Sequence, residues 1–293
     1  MTSTDDQPPA VRSRLRMPAR ALAALACPHC GQGLAPVGDA LACPAGHSFD
    51  VARQGYVSLL SGRRTGPGDS RDMVRARQEF QEAGHYAPLA RRLAATVADL
   101  APEPELVADV GAGTGYYLRH VLDALPGSHG LALDVSGYAL RRAAKAHPRA
   151  GALACDVWGG LPLRRGAAAV LLNVFAPRNG AEFRRVLSDD GALLVVTPTA
   201  RHLAELRGPL GLIDVDPRKD ERVPEGLAPH LLPERHEETS AELRLGRTEV
   251  GALVEMGPSA RHIDPAELRR RVAALPGATD VTASWTISVY RPA

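Results

Sequence analysis

The chain has 293 residues, 45% apolar and 23% charged, enough for one large domain or two smaller ones with buried cores. Its 28 glycines and 24 prolines fall short of a low-complexity composition, and no apolar run approaches the ~20 residues that cross a bilayer, so fibrous, largely disordered and membrane-spanning helical classes are excluded. The formal charge is only +2, but Lys145 and Lys219 are the only lysines. GC-rich coding accounts for such a bias. Guanidinium forks still suit phosphate oxygens, so a nucleic-acid partner is permitted without being required.

Residues 1–20 read as a disordered polar extension. Arg12, Arg14, Arg16 and Arg20 precede a short apolar stretch, Ala21 to Ala26. That stretch is too short for the 7–15-residue apolar region of an export signal, and the expected location is the cytoplasm. Residues 21–60 carry Cys27-Pro28-His29-Cys30 and Cys43-Pro44-Ala45-Gly46-His47, the pattern C-x2-C-x12-C-x3-H. Two close pairs of soft or borderline ligands, joined by a loop long enough to fold back, make a tetrahedral zinc site from Cys27, Cys30, Cys43 and His47. Four protein ligands leave no open position, so the metal is structural. His29 competes with His47 as fourth ligand on residue type alone. A knuckle this small depends on zinc for its folding energy, and its core is expected to be separate from that of the remaining chain.

Residues 61–100 read as a helical linker. Together with Arg53, its Arg63, Arg64, Arg71, Arg75 and Arg77 are candidates to grip phosphates. Residues 101–293 open on an apolar strand, Leu106 to Val110, followed by Gly111-Ala112-Gly113-Thr114-Gly115 and a helical stretch. The dinucleotide fingerprint would need glycine at 116, where Tyr116 stands, and no Gly-Lys-Ser/Thr follows for a phosphate-binding loop. The remaining pattern, from Asp109 to Gly115, is similar to the first motif of S-adenosylmethionine-dependent methyltransferases. Its glycines let the backbone pass close beneath a ligand, and the helix N-terminus attracts a carboxylate.

A second strand ends at Asp134, about 20 residues on, where an acid suits a pair of ribose hydroxyls. A third ends at Asp156, where a carboxylate suits an adenine amino group. Alternation continues with strands at 168–174, 191–197, 239–246 and 279–290 and helices at 179–188 and 200–207, with two further helical stretches before the last strand. Such alternation implies a mainly parallel sheet covered on both faces. Residues 208–238, rich in Pro and charge, read as an insertion or mobile loop.

Taken together, these segments resemble the bacterial 23S rRNA guanine-N1 methyltransferases over about residues 25–290. The linker carries the most specific match: Phe49-Asp50, Gly55-Tyr56-Val57, Gly68-Asp69-Ser70, Met73, Ala76-Arg77 and Ala83-Gly84-His85-Tyr86-Ala87-Pro88-Leu89, in the family's order. The run Asn173-Val174-Phe175-Ala176-Pro177-Arg178-Asn179 resembles the actinobacterial branch, which includes the tylosin-resistance methyltransferases. The resemblance implies an α/β class I methyltransferase (Rossmann-like) fold behind a small zinc ribbon. It assigns zinc to the same four residues and cofactor contacts to Tyr86, Gly113, Thr114 and His202. Ala112 replaces a cysteine of some members, and the N-terminal extension has no counterpart.

The implied reaction moves a methyl group from S-adenosylmethionine to N1 of a guanine in a 23S rRNA hairpin loop, with macrolide resistance as a consequence. N1 lies on the pairing edge, so the base must be unpaired or extruded. Phe175 is placed to stack on it and Asn173 to position it. No residue is singled out as the base. The expected partner is 23S rRNA, read by the zinc module, with no membrane and with a homodimer among the assemblies considered. A small-molecule methyltransferase of antibiotic tailoring and a non-catalytic zinc-ribbon RNA-binding protein are the competing readings.

Overall fold

The computed structural model describes residues 14–60, 66, 68–213 and 219–293. It begins with α1 (Ala19–Ala23) and a three-stranded antiparallel sheet of β1 (Ala35–Val37), β2 (Ala40–Ala42) and β3 (Ser48–Asp50). A short strand, β4 (Val57–Ser58), leaves this module. Two linker helices follow, α2 (Arg71–Glu82) and α3 (Ala87–Leu100). The Ser70 hydroxyl caps α2 by accepting from the Met73 N–H at 3.2 Å, and Pro88 sits in the first turn of α3, where its missing N–H costs nothing.

The chain then alternates through β5 (Leu106–Val110), α4 (Tyr116–Ala124), β6 (His129–Asp134), α5 (Gly137–Ala143), β7 (Ala150–Ala154), β8 (Ala168–Val174), α6 (Gly180–Val186) and β9 (Leu187–Pro198). It closes with α7 (Ala204–Leu210), α8 (Lys219–Leu227), β10 (Leu231–Gly246), α9 (Arg247–Glu255), α10 (Pro265–Ala274) and β11 (Ala278–Pro292). One eight-stranded sheet runs in the order β10-β11-β9-β8-β5-β6-β7-β4. All pairings from β9 to β4 are parallel, and β11 is antiparallel to both of its neighbours. This is the expected class I methyltransferase sheet. Chain order reverses between β5 and β8, which is where an open α/β sheet splits to form a ligand crevice at its carboxyl ends.

Alternate residues of the central strands feed two cores. Val107, Ala132, Leu194 and Val196 face the helices of the linker and the carboxyl-terminal half. Leu106, Ala108, Leu131, Leu133 and Leu193 face the other way, into a core that includes Ala21, Leu25, Cys27, Leu41, Cys43, Val51 and Val57. The zinc module therefore covers one face of the sheet, a place that a helix fills elsewhere. The expected separate cores are not found: two zinc ligands lie inside the core of the sheet.

Two further readings are corrected. Residues 14–20 belong to the fold, while residues 1–13 of the expected extension lie outside the described residues. The Arg16 N–H donates to the Gly55 carbonyl at 3.2 Å, and Met17 lies so close over Gly151 that a Cβ there would come within 2.7 Å of its Cγ. Leu15 and Met17 pack on the core while Arg14 and Arg16 alternate with them, a period-two pattern hidden by the polar composition. Segment 208–238 is largely regular structure, holding the end of α7, then α8 and the start of β10; residues 214–218 lie outside the described residues. Its charges and Pro233 are compatible with a strand because β10 is the sheet's edge, and the register shifts between Pro233 and Arg235.

Candidate functional site

The zinc ligands meet as their spacing requires. One donor atom from each of Cys27, Cys30, Cys43 and His47 lies within 4.8 Å of all the others. Cys30 Sγ and Cys43 Sγ are 3.7 Å apart, and His47 Nδ1 is 3.3 Å from Cys43 Sγ and 3.6 Å from Cys27 Sγ. A tetrahedron with zinc–ligand bonds of about 2.0–2.3 Å has edges of about 3.3–3.8 Å, so the donor set fits zinc. Gly31 (φ 73) and Gly46 (φ 86) supply the left-handed turns behind each pair, closed by Gly31 N–H to Cys27 O and Gly46 N–H to Cys43 O. Burial works to raise the Cys43 thiol, yet hydrogen bonds from the His47 backbone and ring carry it down to about 6, toward the thiolate a metal needs. His29 falls outside the donor set and stacks on Phe49.

At the sheet's switch point lies a cleft of about 300 Å³. Its floor is the glycine turn after β5, where Gly111, Gly113 and Gly115 have φ of 80, 55 and 78. A Cβ on Gly111 would meet that of Ala176 at 2.3 Å, whereas above Gly113 only the Arg77 side chain comes within 4 Å. Gly111 is thus a packing requirement, whereas the space above Gly113 is open except for Arg77.

Asp134, at the end of β6, accepts from the Gly113 N–H at 2.8 Å with one oxygen and from the Ser136 N–H at 2.7 Å with the other. Burial holds its carboxyl above the ordinary range despite these two bonds. Asp156 lines the same cleft and accepts from the Trp158 N–H at 3.1 Å. Asp109 lies beneath the turn, 1% exposed, and neither of its oxygens has a hydrogen-bond partner among the described residues. Burial first, then the Asp134 charge, pushes its carboxyl up to about 8, so it holds a proton at neutral pH.

Phe175 follows β8 on the opposite wall. It is 39% exposed and, unusually for a side chain of its size, left-handed (φ 55). Behind it are Tyr86 and His202, with ring centroids 6.5 and 6.4 Å from its own, and Trp285, 5.4 Å edge-on from Tyr86. His202 Nδ1 accepts from the Ser284 N–H at 3.1 Å, which leaves the ring proton of the neutral form on Nε2. Tyr86 and His202 thus flank Phe175, and the Arg77 guanidinium is near enough to Tyr86 to act on its hydroxyl, which burial pushes up. Thr114 turns away from it, donating to Gln81 Oε1 at 2.7 Å. Asn173 does not reach the cleft as a guanine-positioning group would. It is fully buried, and its Nδ2 donates to the carbonyls of Val110 at 3.2 Å and Pro177 at 2.9 Å, bracing the turn that carries Phe175.

A zinc-ribbon family model described as "RlmA, N-terminal" matches residues 25–63. A Streptomyces fradiae protein named "23S rRNA (guanine(748)-N(1))-methyltransferase" is 51% identical, over 92% of this chain and 96% of its own length. The chain belongs to the 23S rRNA (guanine-N1)-methyltransferase family. A Micromonospora griseorubida relative described as "Putative 23S rRNA (guanine-N(1)-)-methyltransferase" is 55% identical, over 92% of this chain and 97% of that one. A Bacillus subtilis (strain 168) protein with the same description is 32% identical, over 62% of this chain and 66% of its own. The two actinobacterial sequences are much the nearer, in keeping with the branch that residues 173–179 resemble.

Within this 23S rRNA (guanine-N1)-methyltransferase, the linker has a role that charge counting misassigns. Arg77, read as a phosphate grip, points into the cleft. One of its terminal nitrogens, Nη2, lies 2.7 Å from Asp69 Oδ2 and donates to the Met256 carbonyl at 2.9 Å. Arg261 reaches Asp69 from the other side at 3.6 Å, and the Ser136 hydroxyl donates to the Asp69 carbonyl at 2.7 Å. The linker segment around Gly68 and Asp69 thereby roofs the cleft. Only the motif match at Gly68-Asp69-Ser70 and Ala76-Arg77 hinted at this. Arg75 stays on the exposed face of α2, beside Asp72 and Glu79. Arg63 and Arg64 lie outside the described residues.

Proposed function

We propose that this chain transfers the methyl of S-adenosylmethionine to N1 of a guanine in a hairpin loop of 23S rRNA, and that guanine 748, named for the Streptomyces relative, is the position to examine first. Identity of 51% across nearly the whole of both chains carries the reading. S-adenosylmethionine supplies an electrophilic methyl on a sulfonium centre. What the chain supplies is a cleft whose residues fit it: open space over Gly113, acids at the ends of β6 and β7, and an arginine with a nitrogen that has no hydrogen-bond partner among the described residues.

In this reading Asp134, its carboxylate aimed by two backbone N–H groups, accepts from the ribose hydroxyls. Asp156 accepts from the adenine amino group. Gly111, Gly113 and Gly115 bring the backbone and the N-terminus of α4 under the methionine end. Asp109, Thr114, Tyr86 and His202 act from one layer out: Asp109 under the turn, Thr114 by tying it to α2, and Tyr86 with His202 by backing Phe175. Phe175, half exposed at the mouth, stacks on the extruded guanine and turns its N1 edge toward the cleft. The zinc module, whose exposed His29 stacks on Phe49, reads the hairpin's shape. Among the described residues no helix is long and apolar enough to cross a membrane, and an rRNA substrate supports a cytoplasmic location.

A methyl-transfer assay with labelled S-adenosylmethionine, run on 23S rRNA and on macrolide aglycones in parallel, tests the proposal. Label in the rRNA alone supports it; label in a macrolide alone replaces it with antibiotic tailoring. A tylosin susceptibility test of a sensitive host expressing the chain then decides whether the methyl confers resistance.

A further inference from the structure

The geometry points to Arg77 as the anchor for the carboxylate at the methionine end of the cofactor, with Asp69 as the positioning residue that aims it. The inference rests on the S-adenosylmethionine reading above and adds a contact that neither the glycine motif nor the linker's charge assigns.

Three observations carry it. Arg77 extends over the glycine turn: its Cδ and Nη1 lie 3.7 and 3.8 Å from the point where a Cβ on Gly113 would stand. Its Nη2 is held by Asp69 and the Met256 carbonyl, so the side chain is fixed by α2, the roofing segment and the end of α9 together. Its Nε is buried without a hydrogen-bond partner among the described residues. A buried guanidinium nitrogen left unpaired is costly and marks a guanidinium whose hydrogen bonding is incomplete. Nε is closed off from the cleft, and Nη1, over the glycine turn, is the donor a ligand oxygen meets.

Arg77 and Arg261 face Asp69 and Asp134, so two cations meet two anions before a ligand enters. The methionine end, a carboxylate with its ammonium, adds no net charge, and the N-terminus of α4 favours its carboxylate side. Arg261 is the weaker candidate. It is more exposed than Arg77 and stands on a single 3-10 turn, Pro258–Arg261, not over the glycine turn. Arg77 is therefore placed to distinguish an intact methionine end from one that lacks its carboxylate.

Isothermal titration with S-adenosylhomocysteine and with its decarboxylated analogue, which keeps the amine, tests this on the full chain. Wild-type protein is expected to prefer S-adenosylhomocysteine by about tenfold to a hundredfold, the range for a hydrogen bond between charged groups. Arg77→Ala should weaken S-adenosylhomocysteine by that factor and leave the analogue within about twofold, so that the preference disappears. Arg77→Gln, which keeps a donor for the Met256 carbonyl, should lose it too and stands in if the alanine variant fails to fold. Asp69→Asn should reduce the preference only in part. Equal weakening of both ligands would make Arg77 a strut for the roof, and a preference that survives in both Arg77 variants would also overturn the assignment. Wild-type protein that binds neither ligand would instead remove the cofactor reading itself, and this inference with it.

Discussion

Val57 lies in parallel register with Leu153, so the segment leaving the zinc module is also the outermost strand of the catalytic sheet. Leu25 bridges to Leu163 on the same side, and Cys27 and Cys43 sit in the core beneath. Metal binding at the ribbon is thereby tied to the stability of the sheet.

Removing a zinc ligand should consequently do more than loosen the first 60 residues. Cys43→Ala should lose about one zinc per chain, measured by native mass spectrometry, and should lower the midpoint of a single calorimetric unfolding transition while weakening S-adenosylhomocysteine binding. Two separate transitions, with the second unshifted, would contradict a shared core.

Asp109 gives the fold a pH dependence of known sign. Its carboxyl, held at about 8 in the fold by burial and then by Asp134, is near 4 in an unfolded chain. The folded state keeps a proton that the unfolded state has lost, so this group's contribution is complete below about pH 4 and falls as pH rises toward 8. Asp109→Asn mimics the protonated acid. It should flatten the fall in ligand-free stability between pH 5 and 8 by on the order of 3 kcal/mol. Urea midpoints across that range check it, and parallel curves for the two proteins would refute a neutral Asp109.

Gly111 and Gly113 should fail differently. Gly111→Ala forces a Cβ into Ala176 at 2.3 Å as well as a strained φ, and should destabilise the fold. Gly113→Val also carries the strain of a positive φ (55), but its Cβ meets nothing closer than Arg77 at 3.7 Å and it fills the space above the turn, so it should lose cofactor binding with a smaller shift in melting temperature. Asp134→Ala should weaken binding by about 1–3 kcal/mol. Calorimetry and thermal melts on the three variants separate these outcomes; equal effects of the two glycine changes on melting would contradict the distinction.

Phe175→Ala should reduce methylation of a hairpin RNA by about tenfold to a hundredfold, the worth of one base stack, while S-adenosylhomocysteine affinity changes little. Phe175→Tyr should restore most of the rate. If the alanine variant loses cofactor affinity and rate in proportion, Phe175 serves the aromatic cluster of Tyr86 and His202 and not the base.

The central strands β5 and β8 were legible because they are nearly unbroken apolar runs, interrupted in β5 only by Asp109 and in β8 only by Asn173, and both fall at the expected residues. The zinc pairs were legible from their spacing, while the fold excludes His29 and brings His47 to the three cysteines. Leu15, Met17 and the first half of β10 (231–238) were not legible: the clamped arm needs only every second residue apolar, and that half of the edge strand is charged and exposed almost throughout, while 239–246 was read as strand. Arg77 was misjudged for a related reason. A side chain's sequence neighbours say it is cationic, but only the fold brings Asp69, Met256 and Gly113 around it. Asn173 shows the reverse case, a polar residue at a strand end whose amide nitrogen is taken by two backbone carbonyls, while its Oδ1 has no hydrogen-bond partner among the described residues.

The central claim, methyl transfer to guanine N1, is tested most directly by primer extension on 23S rRNA from cells with and without the chain, because a methyl on N1 blocks base pairing and stops reverse transcriptase. A new stop beside one hairpin-loop guanine, at position 748 or its equivalent, absent from cells carrying the Gly113→Val variant, is the expected result. Identical stop patterns in all three strains, with the protein present and folded, would contradict it.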